Sequence, residues 1–433
     1  MSVGYQVRTI RLESGERLPL LLSEETGVPV WDVTLFILTA LRSTSLATNT
    51  IAHAARAVMV GLQVFRYLGI DLNQRLEQGK LLSLSEVDEL VNLAGLKQEE
   101  LDALLGNKKK SQAASRVVSL ERARMRTSAR ASKRVESETK ATRLIYIRKY
   151  IEWLSAGRRL KLDVGHEHFR ALNVATETVV GQLNARIPGR DHDAGGRQGV
   201  SAEVRARILE VINPDSPENP WKGRHVRLRN QLIFMWLLLL GIRNGELLGV
   251  YVDDVNLRKG EVVITRRPDN PEDERGNAPL VKTRSRLLAL SPGLMDLTRD
   301  YIIGKSKDKK GSRSSIKGAR RHPYLFVANG TGAALSKPAL NKLFRELRTK
   351  VPGLTNDLSP HVLRHTWNDD FSELMDTKGV SSEDEERMRR QAMGWSPQSR
   401  MAGHYTKRHI ERKSNEASLA LQAKSFKPTD KKN

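Results

Sequence analysis

Leu239-Leu-Gly-Ile-Arg-Asn-Gly-Glu-Leu-Leu248 sits at the end of an apolar run, Leu232 to Ile242, that is too short to cross a bilayer. That run predicts a buried helix over about Val226 to Leu248, with Gly241 at a junction that projects Arg243. Working outward, Glu261–Arg266 and Leu280–Leu290 have the β-branched and apolar content of two strands, joined by a polar loop from Pro268 to Pro279. Lys282 lies in the second of these, followed at alternate positions by Arg284 and Arg286, which alternation puts on one face. Tyr324–Val327 is a candidate short strand, and the sequence beyond it is helical in pattern to about Lys424. Within it, Ser359-Pro360 starts a helix that carries His361 and Arg364 one turn apart, and Gly394-Trp395 precedes Tyr405. A helix start favours an anion.

Upstream, residues 5–22 alternate enough for a hairpin or an extended arm. Helical stripes follow from Trp31 and from Thr48, the second closed by Gly69, and Ser85 with Asp88 forms a loose capping pair for a third. Residues 108–140 are strongly basic, with Arg122, Arg126, Arg130, Lys133 and Arg134 as candidate phosphate-backbone contacts; a solvated helix is the other reading. An amphipathic helix over Ala141–Leu154 comes next, with Leu144, Ile147, Ile151 and Leu154 as core. Residues 186–200, rich in Gly, Pro and charge, form the best linker. A helix near Ser201, with Val204, Ile208 and Val211, opens the C-terminal domain. The fold class is therefore mainly α with a small antiparallel β-sheet (α+β). The segments are a helical region 1–107, a basic connector and helical extension 108–185, a linker 186–200, a domain 201–412 and a tail 413–433.

Composition narrows the function. A formal net charge of +23 in 433 residues points to a polyanionic partner, nucleic acid foremost. No cysteine is present, which excludes disulfides, thiolate metal sites and cysteine nucleophiles, and fits an intracellular protein. The N-terminus lacks the apolar run of a signal peptide, so the expected location is cytoplasmic, on the nucleoid. His166 with His168, and His192 between two aspartates, lack further ligands at helical spacing and read as surface loop, so no metal or other cofactor is expected.

Taken singly, Arg243, Lys282, His361, Arg364, Trp395 and Tyr405 each have an ordinary structural explanation. Their order does not. Together with Leu-Leu-Gly-Ile-Arg-Asn-Gly-Glu-Leu-Leu, Lys-Thr-Arg-Ser-Arg, Ser-Pro-His-Val-Leu-Arg-His-Thr and Met-Gly-Trp-Ser-Pro, that order resembles the catalytic domain of the tyrosine recombinase (phage integrase) family over roughly residues 200–412. The resemblance implies site-specific cleavage and rejoining of DNA strands through a 3′-phosphotyrosine, to integrate or excise a mobile element. It makes Tyr405 the nucleophile, Arg243 and Arg364 the clamp on the scissile phosphate, Lys282 the general acid to the 5′-oxygen and His361 an aid to proton transfer. Trp395 would contact the phosphate through its indole N–H, and Glu246 would orient the first arginine. The interval from Trp395 to Tyr405 is one residue longer than the family pattern and holds His404, a second candidate beside the nucleophile.

Arginine pairs suit this work, because guanidinium donors match non-bridging phosphate oxygens and neutralise a pentacovalent transition state. The phosphotyrosine conserves the phosphodiester energy, consistent with a chain that has no G-x-x-x-x-G-K-[ST] loop.

The resemblance further implies double-stranded DNA as partner, a homotetramer on two sites (a dimer per site), and accessory proteins in some systems. It implies a helical core-binding domain, for which residues 28–105 qualify with 110–185 extending the clamp. Alternatively 110–185 is that domain and 1–105 an added arm-binding or interaction domain. The tail, with Ala417, Leu419, Leu421 and Phe426, either docks on a neighbouring subunit or packs on its own. A resolvase or type IB topoisomerase would use the same chemistry, and a non-catalytic DNA-binding protein the same fold.

Overall fold

The computed structural model describes residues 4–44, 46–107, 133–189, 199–276, 278–279, 283–304, 311–399 and 401–425. Arg122, Arg126, Arg130, His192 and Lys282 lie outside the described residues, as does most of the expected linker. The chain divides into two compact units, Met1–Ala194 and Gly195–Asn433.

The first unit begins with a hairpin, β1 (Tyr5–Arg11) and β2 (Arg17–Ser23), paired antiparallel from Tyr5↔Ser23 to Arg11↔Arg17. Its turn depends on Gly15 at φ +84°, a left-handed position where a side chain would be strained. The alternation in residues 5–22 thus resolves as a hairpin rather than an extended arm. Leu18, Leu20 and Leu21 of β2 are buried against α1 (Trp31–Phe36), the π-helical turn Ile37–Arg42 that continues it, and α2 (Thr48–Leu68). Helix α2 is alanine-rich, which favours helix, and Gly69 caps it at φ +73°. Then come α3 (Leu72–Glu77), α4 (Leu84–Leu93) and α5 (Gln98–Asn107). The cap of α4 differs from the expected Ser85 and Asp88 pair. Ser83 accepts from the Glu86 backbone N–H and Glu86 accepts from Ser83 N–H, because Ser83 is the residue that holds extended backbone before the first turn.

Helices α6 (Ser137–Arg159) and α7 (Glu167–Arg186) pack into this same unit. Leu144, Ile147 and Ile151 of α6 and Leu172, Val179 and Leu183 of α7 share one core with Val64, Phe65, Leu90 and Leu101. Tyr150 also meets Phe36 edge to face at 5.4 Å. The hairpin and helices before residue 108 and those after residue 132 thus build one body, since the apolar stripes of α2 and α6 bury each other. Arg143 donates to the carbonyls of Ala94 and Leu96 at 2.9 and 2.6 Å, fixing the entry of α6.

In the second unit, Ser201 caps α8 (Ala202–Val211), and α9 (Arg224–Leu240) runs through the core. The expected single helix to Leu248 is broken. Gly241 turns left-handed at φ +58°, Arg243 is extended, and a separate α10 (Asn244–Gly249) follows. Three short strands, β3 (Val255–Asn256), β4 (Glu261–Ile264) and β5 (Arg286–Ala289), form an antiparallel sheet in that order, with Ile264 opposite Arg286. The second expected strand is shorter than Leu280–Leu290, because Arg284 N–H bonds to the Gly394 carbonyl (2.9 Å) instead of a strand partner. Tyr324 and Val327 make isolated bridges to Tyr251 and Ala334 rather than a strand.

Beyond the sheet lie α11 (Pro292–Ile302), α12 (Lys337–Lys350), α13 (Pro360–Thr377), α14 (Ser382–Met393) and α15 (Met401–Ser425). Trp236, Phe234, Phe344 and Leu363 anchor the main core, and Met393, Trp395, Ala402 and Tyr405 make a smaller one beside it, with Trp367 against it. No helix among the described residues is long and apolar enough to cross a membrane.

Candidate active site

Arg243 stands at the head of α10 because Gly241 ends α9 in a conformation that glycine adopts without strain. Its backbone N–H donates to Glu246 Oε2 at 2.9 Å, and its guanidinium Nη1 lies 3.7 Å from Glu246 Oε1. Glu246 is buried and also accepts from Arg286 (2.9 Å) and from the Thr283 hydroxyl. Burial pushes its carboxyl up, but the bonds and charges of Arg286, with Arg364 and Thr283, hold it below the ordinary glutamate range.

Arg364, one turn into α13, is 2% exposed and donates through Nη1 to the Gly241 carbonyl at 2.6 Å. Burial, then the charge of Arg243, pushes its guanidinium down to about 9. Two cations are therefore held together with one carboxylate already engaged elsewhere, an arrangement that an incoming anion would relieve.

Trp395 follows Gly394, the left-handed cap of α14 at φ +66°. A β-carbon at Gly394 would lie 2.7 Å from Arg286 Nη1, so only glycine fits this close approach. The Trp395 ring lies 5.6 Å from the Arg364 guanidinium carbon and stacks on Tyr405 at 5.8 Å and 11°. Tyr405, on α15, is 3% exposed; His365 meets its ring at 5.4 Å and His361 meets His365 at 4.5 Å.

Three buried donors in this cluster, Arg243 Nη1, Arg364 Nη2 and Trp395 Nε1, have no hydrogen-bond acceptor among the described residues. Other buried polar atoms among the described residues also lack a partner, Arg389 Nε and Arg390 Nε among them, so it is the grouping of these three donors beside Tyr405 that suits an oxyanion. A cavity of about 480 Å³ opens here, lined by Arg243, Thr283, Arg284, Trp395 and Met401 among others.

Residues 207–409 match the model of the phage integrase family. This segment is a phage integrase family domain. The chain is 26% identical to the TnP I resolvase of Bacillus thuringiensis over 137 residues, 32% of this chain and 38% of the resolvase. It is 23% identical to the tyrosine recombinase XerD of Vibrio vulnificus (strain YJ016) over 215 residues, 49% of this chain and 57% of XerD. The matches thus span less than two thirds of either relative. Among solved structures, the post-cleavage complex of XerH recombinase bound to palindromic difH substrate aligns at a TM-score of 0.44 and 16% identity, covering 85% of this chain and 97% of that one.

The integrase-family domain brings Arg243, Glu246, Arg364, Trp395 and Tyr405 into one cluster, with exposed His361 reaching it through His365. Lys282 falls outside the described residues, and of His404 only the helical backbone is described. Arg286 departs from the expectation of an exposed basic face shared with Arg284. It is buried, paired with Glu246 and bonded to the Ala392 carbonyl at 2.7 Å, because β5 starts at Arg286 itself and turns that side chain inward. Arg284 is exposed. In the first unit, Lys133 and Arg134 are exposed, Lys133 in an ion pair with Glu100 at 2.9 Å. His166 accepts the His168 backbone N–H at 3.1 Å and so caps α7. His365 and Arg389 were not singled out from the sequence. His365 sits in the quoted Ser-Pro-His-Val-Leu-Arg-His-Thr run, four residues after His361 and so on its face of the helix, which was a usable signal.

Proposed function

We propose that this protein is a site-specific DNA recombinase that cleaves and rejoins strands through a 3′-phosphotyrosine at Tyr405. The observation that carries this reading is the set of three buried, acceptor-less donors beside the Tyr405 ring. The scissile phosphate supplies the missing acceptor: Arg243 and Arg364 take its non-bridging oxygens and the Trp395 indole N–H a third contact. The Tyr405 oxygen attacks phosphorus, the P–O5′ bond breaks, and the 5′-oxygen leaves with a proton from Lys282. His361, relayed by His365, takes the phenol proton. Attack by a 5′-hydroxyl of a second strand reverses the step and releases Tyr405, so no external energy source is consumed. Glu246 acts on the first arginine through its backbone N–H and anchors Arg286 behind it.

The substrate is duplex DNA, gripped by a chain of net charge +23, and the working assembly is a tetramer on two sites. Sites enriched from a random duplex pool by binding, then nicked beside the scissile position, trap the covalent intermediate. Wild type should give a protein–DNA adduct in EDTA and Tyr405→Phe none, with equal DNA binding. Adduct from both proteins would move the nucleophile elsewhere, and adduct from neither would leave a DNA-binding protein without strand chemistry.

A further inference from the structure

Arg389, on α14, is a fully buried cation that the proposed chemistry does not use. Its Nη2 donates to Glu385, one turn earlier, and to the Ser372 hydroxyl at 2.6 Å; its Nη1 donates to the Asn368 carbonyl and side-chain oxygen at 2.8 and 2.9 Å. Asn368 in turn donates to the backbone carbonyl of Arg364 at 2.8 Å. The guanidinium carbon lies 4.9 Å from the Phe371 ring and 5.7 Å from the Tyr405 ring. A cation placed against the face of a phenol ring acts on the ring and on its ionisation. By spacing alone, Glu385 and Arg389 would be a solvated i, i+4 pair, yet Glu385 is 4% exposed and Arg389 0%. Burying such a pair is costly and contributes little stability in itself.

We propose that Arg389 is a positioning residue for Tyr405: anchored by Glu385, Ser372 and Asn368, it ties α14 to the Arg364 turn of α13, holds the Tyr405 ring and favours its phenolate. This rests on the reading of Tyr405 as nucleophile. Burial lowers the guanidinium below its ordinary range while Glu385 opposes that, and Tyr405 interacts with its charge. The other charged or titratable groups facing Tyr405 are Arg243 at the head of α10 and Arg364 and His365 on α13, with His361 against His365. Glu246 and Asp369 are nearby anions, and His409, one turn along α15, is paired with Asp376 at 2.7 Å. Against that background, which every variant shares, Arg389 and Glu385 act on the phenol with opposite signs.

The test is a ¹³Cζ-tyrosine NMR titration of the full chain, with Tyr405 assigned by Tyr405→Phe. Arg389→Gln should move the Tyr405 midpoint up and Glu385→Gln should move it down, each by about one pH unit, and Arg389→Lys should stay near wild type. A merely structural role would lower the thermal midpoint of both variants without opposed shifts. Shifts in one direction only, or none, overturn the proposal. Where Arg389→Gln does not fold, the downward shift in Glu385→Gln decides alone. In the nicked-DNA assay, Arg389→Gln should form adduct at least tenfold more slowly with unchanged DNA affinity. The titration uses no DNA, so opposed shifts without any wild-type adduct would sink the recombinase reading and leave the coupling standing.

Discussion

Arg364 is where the energetics of the site are most exposed to experiment. Its guanidinium is buried beside Arg243, and Nη2 has no acceptor among the described residues. Burial and the charge of Arg243 lower it to about 9, and at neutral pH the group is still protonated. The unfolded chain binds that proton more tightly, so the cation costs folded stability below about pH 9 and a bound phosphate would restore it. Arg364→Met removes an uncompensated charge and one hydrogen bond to Gly241, two effects of opposite sign. We expect the thermal midpoint to fall by no more than a few degrees while adduct formation falls by about 10²- to 10³-fold. Collapse of the midpoint, measured by calorimetry, would show that Arg364 holds the fold rather than the phosphate.

At the scale of elements, the site is carried by helix ends. Gly241 ends α9, Ser359-Pro360 starts α13 and Gly394 ends α14. A β-carbon at Gly241 would meet the Trp367 ring at 2.7 Å, and the left-handed backbone adds strain. Gly241→Ala should cost about 1–3 kcal/mol in denaturant unfolding and displace Arg243, lowering cleavage with it. An unchanged midpoint would mean that Trp367 gives way freely. These end signals, Gly241, Ser359-Pro360 and Gly394, were legible because capping and turn chemistry are local, whereas Arg243, His361, Arg364, Trp395 and Tyr405 stood out only together, through the resemblance of their order to the tyrosine recombinase family. Arg286 and Arg389 were not legible, because a buried arginine is identified by partners 40 residues away or on another helix face. The break in the expected Val226–Leu248 helix was half legible: Gly241 was visible, but the close approach of the Trp367 ring to it was not.

At the scale of the molecule, two units each carry their own core, and the first draws helices from both sides of residues 108–132. The sequence left that union as one of two alternatives, because each amphipathic stripe is local while the partner of Thr48–Leu68 begins only at Ser137. The charge of +23 was plain in the composition. It predicts steep salt dependence of DNA binding, with log K falling against log salt at a slope of about −6 to −10 in a fluorescence titration. A slope near zero would contradict a phosphate-tracking surface. The proposed chemistry turns on one atom, the Tyr405 oxygen, and mass spectrometry of the tryptic peptides from the trapped protein–DNA adduct after nuclease digestion reaches it directly. A residual nucleotide is expected on the peptide Met401–Lys407, attached to Tyr405. A nucleotide on any other residue, or an unmodified Met401–Lys407 in adduct that resists denaturant, would contradict it.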